Sequence, residues 1–171
     1  MKALQHIILP VFIIGLMACD KNHQEATENL DVETYIDLLK SNQYDSLNLP
    51  EFTYNDIPEL LQYRNENQLI TDFPHNPISS LWESECKLGI YVLWTIESIR
   101  AVSINSEYLI MRFPSQNPVL KDSDGLELVS DSISHKIAAD AYYDWWENNK
   151  DKDFDDFKNI DPLENTGYGW H

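Results

Sequence analysis

ESECKLGIYVLWTIESIRAVS, residues 83–103, places Leu88, Tyr91, Val92, Thr95, Ile96, Ile99 and Val102 at the spacing of one helix face. Ile90, Leu93 and Trp94 add a second apolar face. A helix apolar over most of its circumference is packed on several sides, so a central helix is expected from about Glu83 to Ser103. Outward from it, Val32, Tyr35, Ile36 and Leu39 fall at i, i+3, i+4 and i+7 behind Asp31, which is placed to cap a first helix. Asn55 or Asp56 is expected to cap a second, with Pro58 in its first turn and Ile57, Leu60 and Leu61 facing inward. A fourth is expected from about Ser132 to Asn149, with Ile137, Ala138, Ala141, Tyr142 and Trp145 inward and small residues that let a neighbour approach closely. Phe154, Phe157 and Ile160 suggest a short fifth, stopped at Asp161-Pro162. Tyr108 to Phe113 alternates as a strand would, without an obvious partner.

The expected fold is therefore all-α, a compact bundle of four or five helices with long Pro-containing loops. One echo suggests an alternative. Phe73-Pro74-His75-Asn76-Pro77 and Phe113-Pro114-Ser115-Gln116-Asn117-Pro118 share an FP…NP pattern 40 residues apart. That period suits a degenerate HEAT-like helical repeat, although two helix-entry loops with a common turn solution explain it equally well.

The chain has 171 residues, 29 Asp plus Glu against 12 Lys plus Arg, and a net charge of -17. Such acidity repels polyanions, which excludes nucleic acid as a natural partner; its ordinary use is to keep a solvated surface soluble. With 43% hydrophobic and 12% aromatic residues, the chain is too rich in core formers to be disordered.

Its first residues read as a leader. Met1 and Lys2 give a positive start, Ile7 to Leu16 (IILPVFIIGL) is a short apolar run, and Leu16-Met17-Ala18-Cys19 resembles a lipobox. About 15 apolar residues interrupted by Pro10 fall short of the roughly 20 needed to span a bilayer. Residues 1–18 are therefore expected to be a lipoprotein signal peptide, and Cys19 to carry the lipid. Residues 19–30 form a flexible polar tether, and residues 31–171 a single helical domain. Loss of Lys2 with the leader would take the net charge to -18. Of the two cysteines, lipidation of Cys19 leaves Cys86 without a disulfide partner.

Cys86 beside His75, His135 or His171 would be needed for acyl transfer, but a lone cysteine entering an apolar helix is more often a small buried hydrophobe. Glu97 and Arg100, at i and i+3 on the most apolar helix, are expected to be a structural ion pair. A glycosidase would need a second carboxylate across a cleft, and no residue is singled out for it. Asp151-Lys152-Asp153-Phe154-Asp155-Asp156 alternates like a calcium loop, yet has Asp156 where Gly is required and Pro162 where the bidentate Glu belongs. Asp122-Ser123-Asp124-Gly125 is shorter still, and the five histidines lack zinc spacing, so no metal and no cofactor is expected. The remaining oddity is aromatic: Tyr143, Trp146, Tyr168 and Trp170 are the candidate ligand-binding residues. The alternative is a tail folded back so that Tyr168 and Trp170 pack on Trp146.

Residues 85–100 (ECKLGIYVLWTIESIR), Arg112 to Pro118 (RFPSQNP) and Ala141 to Trp146 (AYYDWW) resemble a family of Bacteroidetes lipoproteins catalogued as a domain of unknown function. The resemblance runs from about Tyr35 to His171 and implies the address while carrying no activity. The expected function is a non-catalytic binding module for an envelope protein or a glycan. Such a module is lipid-anchored to the inner or outer membrane, by palmitate or a similar acyl chain, and its domain lies in the periplasm or at the cell surface. The alternative is a small cell-envelope hydrolase, which requires Glu97, Cys86 or a histidine to converge on one pocket.

Overall fold

The computed structural model describes residues 30–171 apart from Trp82 and Leu126; the leader, Cys19 and the tether through residue 29 lie outside the described residues. Among those described, five helices dominate: α1 (Val32–Lys40), α2 (Ile57–Leu60), α3 (Leu88–Ser103), α4 (Ser132–Glu147) and α5 (Phe154–Phe157). Two small antiparallel sheets accompany them. One pairs β1 (Leu69–Ile70) with β2 (Cys86–Lys87). The other joins β3 (Leu120–Asp122), β4 (Leu128–Val129) and β5 (Tyr168–Trp170) in the order β4-β3-β5. The all-α expectation is thus corrected to a mostly helical fold with short sheets. Strands of two or three residues are too brief to show an alternating pattern.

The helix α3 is the core: every residue from Leu88 to Ile99 is buried, while Val102 near its end is exposed. It begins later than Glu83 because Cys86 and Lys87 pair in extended form with Ile70 and Leu69. Its N-terminus lacks a side-chain cap. The N–H groups of Leu88 and Gly89 instead donate to the carbonyls of Gln68 (2.8 Å) and Glu66 (2.9 Å), which satisfies donors a helix start would otherwise leave open. That approach demands glycine at 89, since a Cβ there would lie 2.5 Å from the Arg64 carbonyl oxygen and 2.5 Å from His135 Nε2.

Of the two caps expected around α3, one holds and one changes. Asp31 accepts from the Thr34 N–H at 2.7 Å, and Val32, Tyr35, Ile36 and Leu39 are all buried. Before α2, Thr53 is the cap and Asp56 its reciprocal partner, the Asp56 carboxylate accepting from the Thr53 N–H at 2.7 Å. Asp131 caps α4 through the N–H groups of Ile133 (2.7 Å) and Ser134 (3.0 Å). Ala138 and Ala139 are fully buried where α4 packs on α3, whereas Ile137 is partly exposed. Phe154 and Phe157 of α5 dock edge-on against Trp145.

No strand forms over Tyr108 to Phe113; the chain turns there, with Met111 at φ 57° and an isolated bridge between Ile110 and Phe113. No repeat is shown either. The two FP…NP segments meet each other: Asn76 Nδ2 donates to the Ser115 carbonyl at 2.9 Å, and Ser79 Oγ lies 2.9 Å from the Asn117 side-chain amide. Tyr91 donates to the Pro74 carbonyl (3.0 Å) and Trp94 to Ser115 Oγ (2.8 Å), so both loops are moored to α3 by its own aromatic residues.

Candidate functional site

The aromatic C-terminal end is built on a buried charge. Glu97, 6% exposed, receives Arg100 Nε at 3.0 Å, Arg100 Nη2 at 2.5 Å and the Tyr142 hydroxyl at 2.7 Å. Trp170 Nε1 then donates to the Tyr142 oxygen at 2.8 Å, and Arg100 Nη1 reaches the Lys158 carbonyl at 3.3 Å. Burial pushes the Glu97 carboxyl above its usual range against the pull of Arg100. Burial also works against the Arg100 charge, and the Glu97 carboxylate more than offsets it. The pair is therefore an internal strut that joins α3, α4 and the tail.

The four aromatic candidates do not form one platform. Trp170 lies edge-on to Tyr142, at 6.3 Å between centroids, and is held in β5 opposite Leu120. Tyr168 sits at the other end of the same strand, opposite Asp122. The tail does fold back, but Trp170 reaches Tyr142, while the ring neighbours of Trp146 are Trp145 and Phe157. Tyr143 is partly exposed with the Arg64 guanidinium 4.2 Å above its ring.

The nucleophile constellation is not assembled. Cys86 is buried, its Sγ turned to the carbonyls of Lys87 (3.4 Å) and Pro118 (3.7 Å), and burial pushes the thiol far above its usual range. His135 is tied to the Arg64 carbonyl at 2.8 Å, and His171 to the Asn117 amide at 3.0 Å. His75 packs on Phe73, 4.5 Å between ring centres. The acidic runs serve as turns and caps. Asp153 accepts from the Asp155 N–H at 3.1 Å at the start of α5. The stretch 122–125 turns between β3 and β4 with Gly125 at φ 69°. Among the described residues no group of three or more His, Cys, Asp or Glu side chains is placed to hold a metal ion.

What the fold does assemble is a cleft of about 590 Å³ where residues 44–47, residues 71–77, Ser79, Leu81 and Met111 converge. That size lies within the range of ligand sites, about 300–1,000 Å³. Buried Tyr44 and Phe73 form its base, the Tyr44 hydroxyl donating to the Asn48 carbonyl at 2.9 Å. Burial pushes that hydroxyl up to about 12. Burial likewise lowers the His75 imidazole, against the field of Asp72, so the cleft favours a neutral ring there. At the mouth Leu47 is 85% exposed and Met111 57%. A smaller cavity of about 280 Å³ lies beside Cys86, between β2 and the β3–β4 hairpin.

Of the catalytic and ligand-binding candidates read from the sequence, only His75 lines the larger cleft; Leu47, Asp72 and Met111 carry no motif and become neighbours through three loops far apart in the chain. No curated protein and no solved structure matches the chain. One domain family does, described as "Domain of unknown function (DUF4943)" and matched over residues 26–171, so the chain belongs to that family.

Proposed function

We propose that the chain is an exported lipoprotein of the cell envelope, of the Bacteroidetes type, whose domain is a non-catalytic binding module. Cys19 carries the lipid, at the inner or the outer membrane, and the domain lies in the periplasm or at the cell surface. The leader and its Leu16-Met17-Ala18-Cys19 motif support the address. Among the described residues no helix is long and apolar enough to cross a membrane; the reading relies for attachment on the lipid at Cys19.

The observation that carries the binding reading is the cleft with its exposed aliphatic mouth. A partly apolar concavity bordered by a few polar groups is the usual form of a recognition site. Against the hydrolase alternative stands the separate engagement of its required groups: Glu97 with Arg100 and Tyr142, Cys86 with backbone carbonyls. An envelope protein suits the cleft better than a glycan, because sugar rings stack on open aromatic faces and the rings at the base, Tyr44 and Phe73, are buried.

The address is tested by growing cells with an azido fatty acid. Wild type should take up the label, and Cys19→Ala should lose it and remain unprocessed or freely soluble. Label retained by Cys19→Ala would overturn the lipoprotein reading.

A further inference from the structure

We propose that His135 is an acid-released latch: when it takes up a proton, the joint at the start of α3 opens locally and admits solvent to the cavity beside Cys86. This device is independent of the binding reading. The ring is 3% exposed, and its Nε2 lies 2.8 Å from the Arg64 carbonyl. A carbonyl only accepts, so the neutral ring carries its proton on Nε2, and a second proton goes to Nδ1. The ring also lies so close to Gly89 that no Cβ fits between them, which presses it on the first turn of α3.

That position is hostile to a cation. Burial opposes a charge on the ring most strongly, the Arg64 carbonyl favours it, and the field of Lys87, the residue before the helix, opposes it again. The N-terminus of α3 is the positive end of the helix dipole, with no side-chain cap to offset it. The remaining charged groups on the surrounding elements are engaged or at the edge. The Arg64 guanidinium lies over the Tyr143 ring, and Glu66 on the same turn is partly exposed. On α4 itself Asp131 caps the helix, and Lys136 pairs with Asp140. The sequence of α3 carries no charged side chain before Glu97.

The joint is held by short elements. The strands β1 and β2 pair over two residues each, the N–H groups of Leu88 and Gly89 donate to Gln68 and Glu66, and Lys87 Nζ reaches the Ser130 carbonyl at 2.9 Å. Pairings this brief are marginal by themselves, and they can part while the rest of α3 stays packed. Once the joint opens, the ring is hydrated and regains its ordinary proton affinity, so proton uptake draws the equilibrium toward the open form. The cavity of about 280 Å³ has Leu69, Lys87 and Ser130 in its walls, and all three belong to the segments that separate.

Cys86 reports the opening, because its thiol is buried at this joint. Full-length protein in a nonionic detergent is reacted with 4,4′-dithiodipyridine, and labelling of Cys86 is followed by mass spectrometry of its own peptide, whatever the state of Cys19. Protection is the rate in urea-unfolded protein divided by the native rate at the same pH, so ionisation of the thiol itself cancels. From pH 7.5 to 5.5 protection should fall about tenfold, the gain in protons of a group with the ordinary value of 6.5 over a buried ring that stays neutral. His135→Gln keeps a donor for the Arg64 carbonyl and should lose the response, while His75→Gln should retain it. Urea denaturation at pH 5.5 should show global unfolding to be rarer than the opening.

Constant protection across this interval would overturn the latch. So would protection equal to that expected from global unfolding, since the joint would then not open by itself, and so would a response retained in His135→Gln. Where His135→Gln fails to fold, the ring resonances of His135 in the wild-type protein decide. Half-titration below pH 6.5 together with the fall in protection supports the latch, and half-titration at or above 6.5 overturns it.

Discussion

Removing one partner of the Glu97–Arg100 pair should cost far more than removing both. Their side chains are only 8% and 11% exposed, so neither charge can be rescued by water once its partner is gone. Glu97→Leu leaves the guanidinium with the Lys158 carbonyl as its remaining acceptor among the described residues and deprives the Tyr142 hydroxyl of its own. Breaking a buried pair in this way costs about 3–5 kcal/mol, a large share of a typical stability of about 5–15 kcal/mol. Arg100→Met should cost a similar amount at pH 8 and less at pH 5. Without the guanidinium the Glu97 carboxyl, already raised by burial, rises further. A raised folded-state pKa contributes stability below the unfolded value, and that contribution is lost as pH rises through the folded one. The double variant Glu97→Leu/Arg100→Met replaces both charges by hydrocarbon and should be less destabilised than either single variant. Urea denaturation of the four proteins at both pH values gives the cycle directly. Additive costs in the double variant would refute the reading of the pair as one coupled strut, and a pH-independent Arg100→Met would refute the stated ionisation of Glu97.

Deleting residues 166–171 removes β5 and the Trp170 contact with Tyr142, and should cost about 2–4 kcal/mol by chemical denaturation followed through Trp fluorescence; an unshifted midpoint would mean the tail does not close the core. Gly89→Ala should destabilise by about 1–3 kcal/mol despite alanine's better helix propensity, because the new methyl meets the Arg64 carbonyl; a rise in melting temperature would show that this approach is not tight. Burial lowers both His75 and His135 below their ordinary value of 6.5, so unfolded chains take up protons first. Stability should accordingly be full above pH 6.5 and fall below it until the folded-state values are passed, and denaturation midpoints that stay flat from pH 7.5 to 5 would contradict this.

The longer helices were legible because each repeats an apolar face over several turns: Val32 to Leu39 behind the cap Asp31, and the stripe from Leu88 to Ile99, illustrate it. The strands were not, since β2 is two residues long and its partner lies 16 positions upstream at Ile70. Glu97 with Arg100 was legible as a pair from spacing alone, whereas the Tyr142–Trp170 extension depends on a tail direction that no periodicity encodes. The FP…NP echo was a true regularity with another cause: two Asn-Pro turns buried against each other and moored by Tyr91 and Trp94. The cleft was hidden because its mouth joins Leu47 to Met111, two exposed aliphatic residues that in sequence resemble incidental surface.

The pairing of β5 with β3 also constrains the order in which the protein can mature. Residues 168–170 complete a sheet begun at 120–122 and fasten Tyr142, so a chain emerging N-terminus first holds an open edge on β3 until its last stretch arrives. An unpaired strand edge is a template for wrong pairing. On the proposed export route, the interval between emergence of Asp122 and of Trp170 is then the window in which the chain most needs a holding chaperone, and products truncated before β5 would be trapped in it permanently.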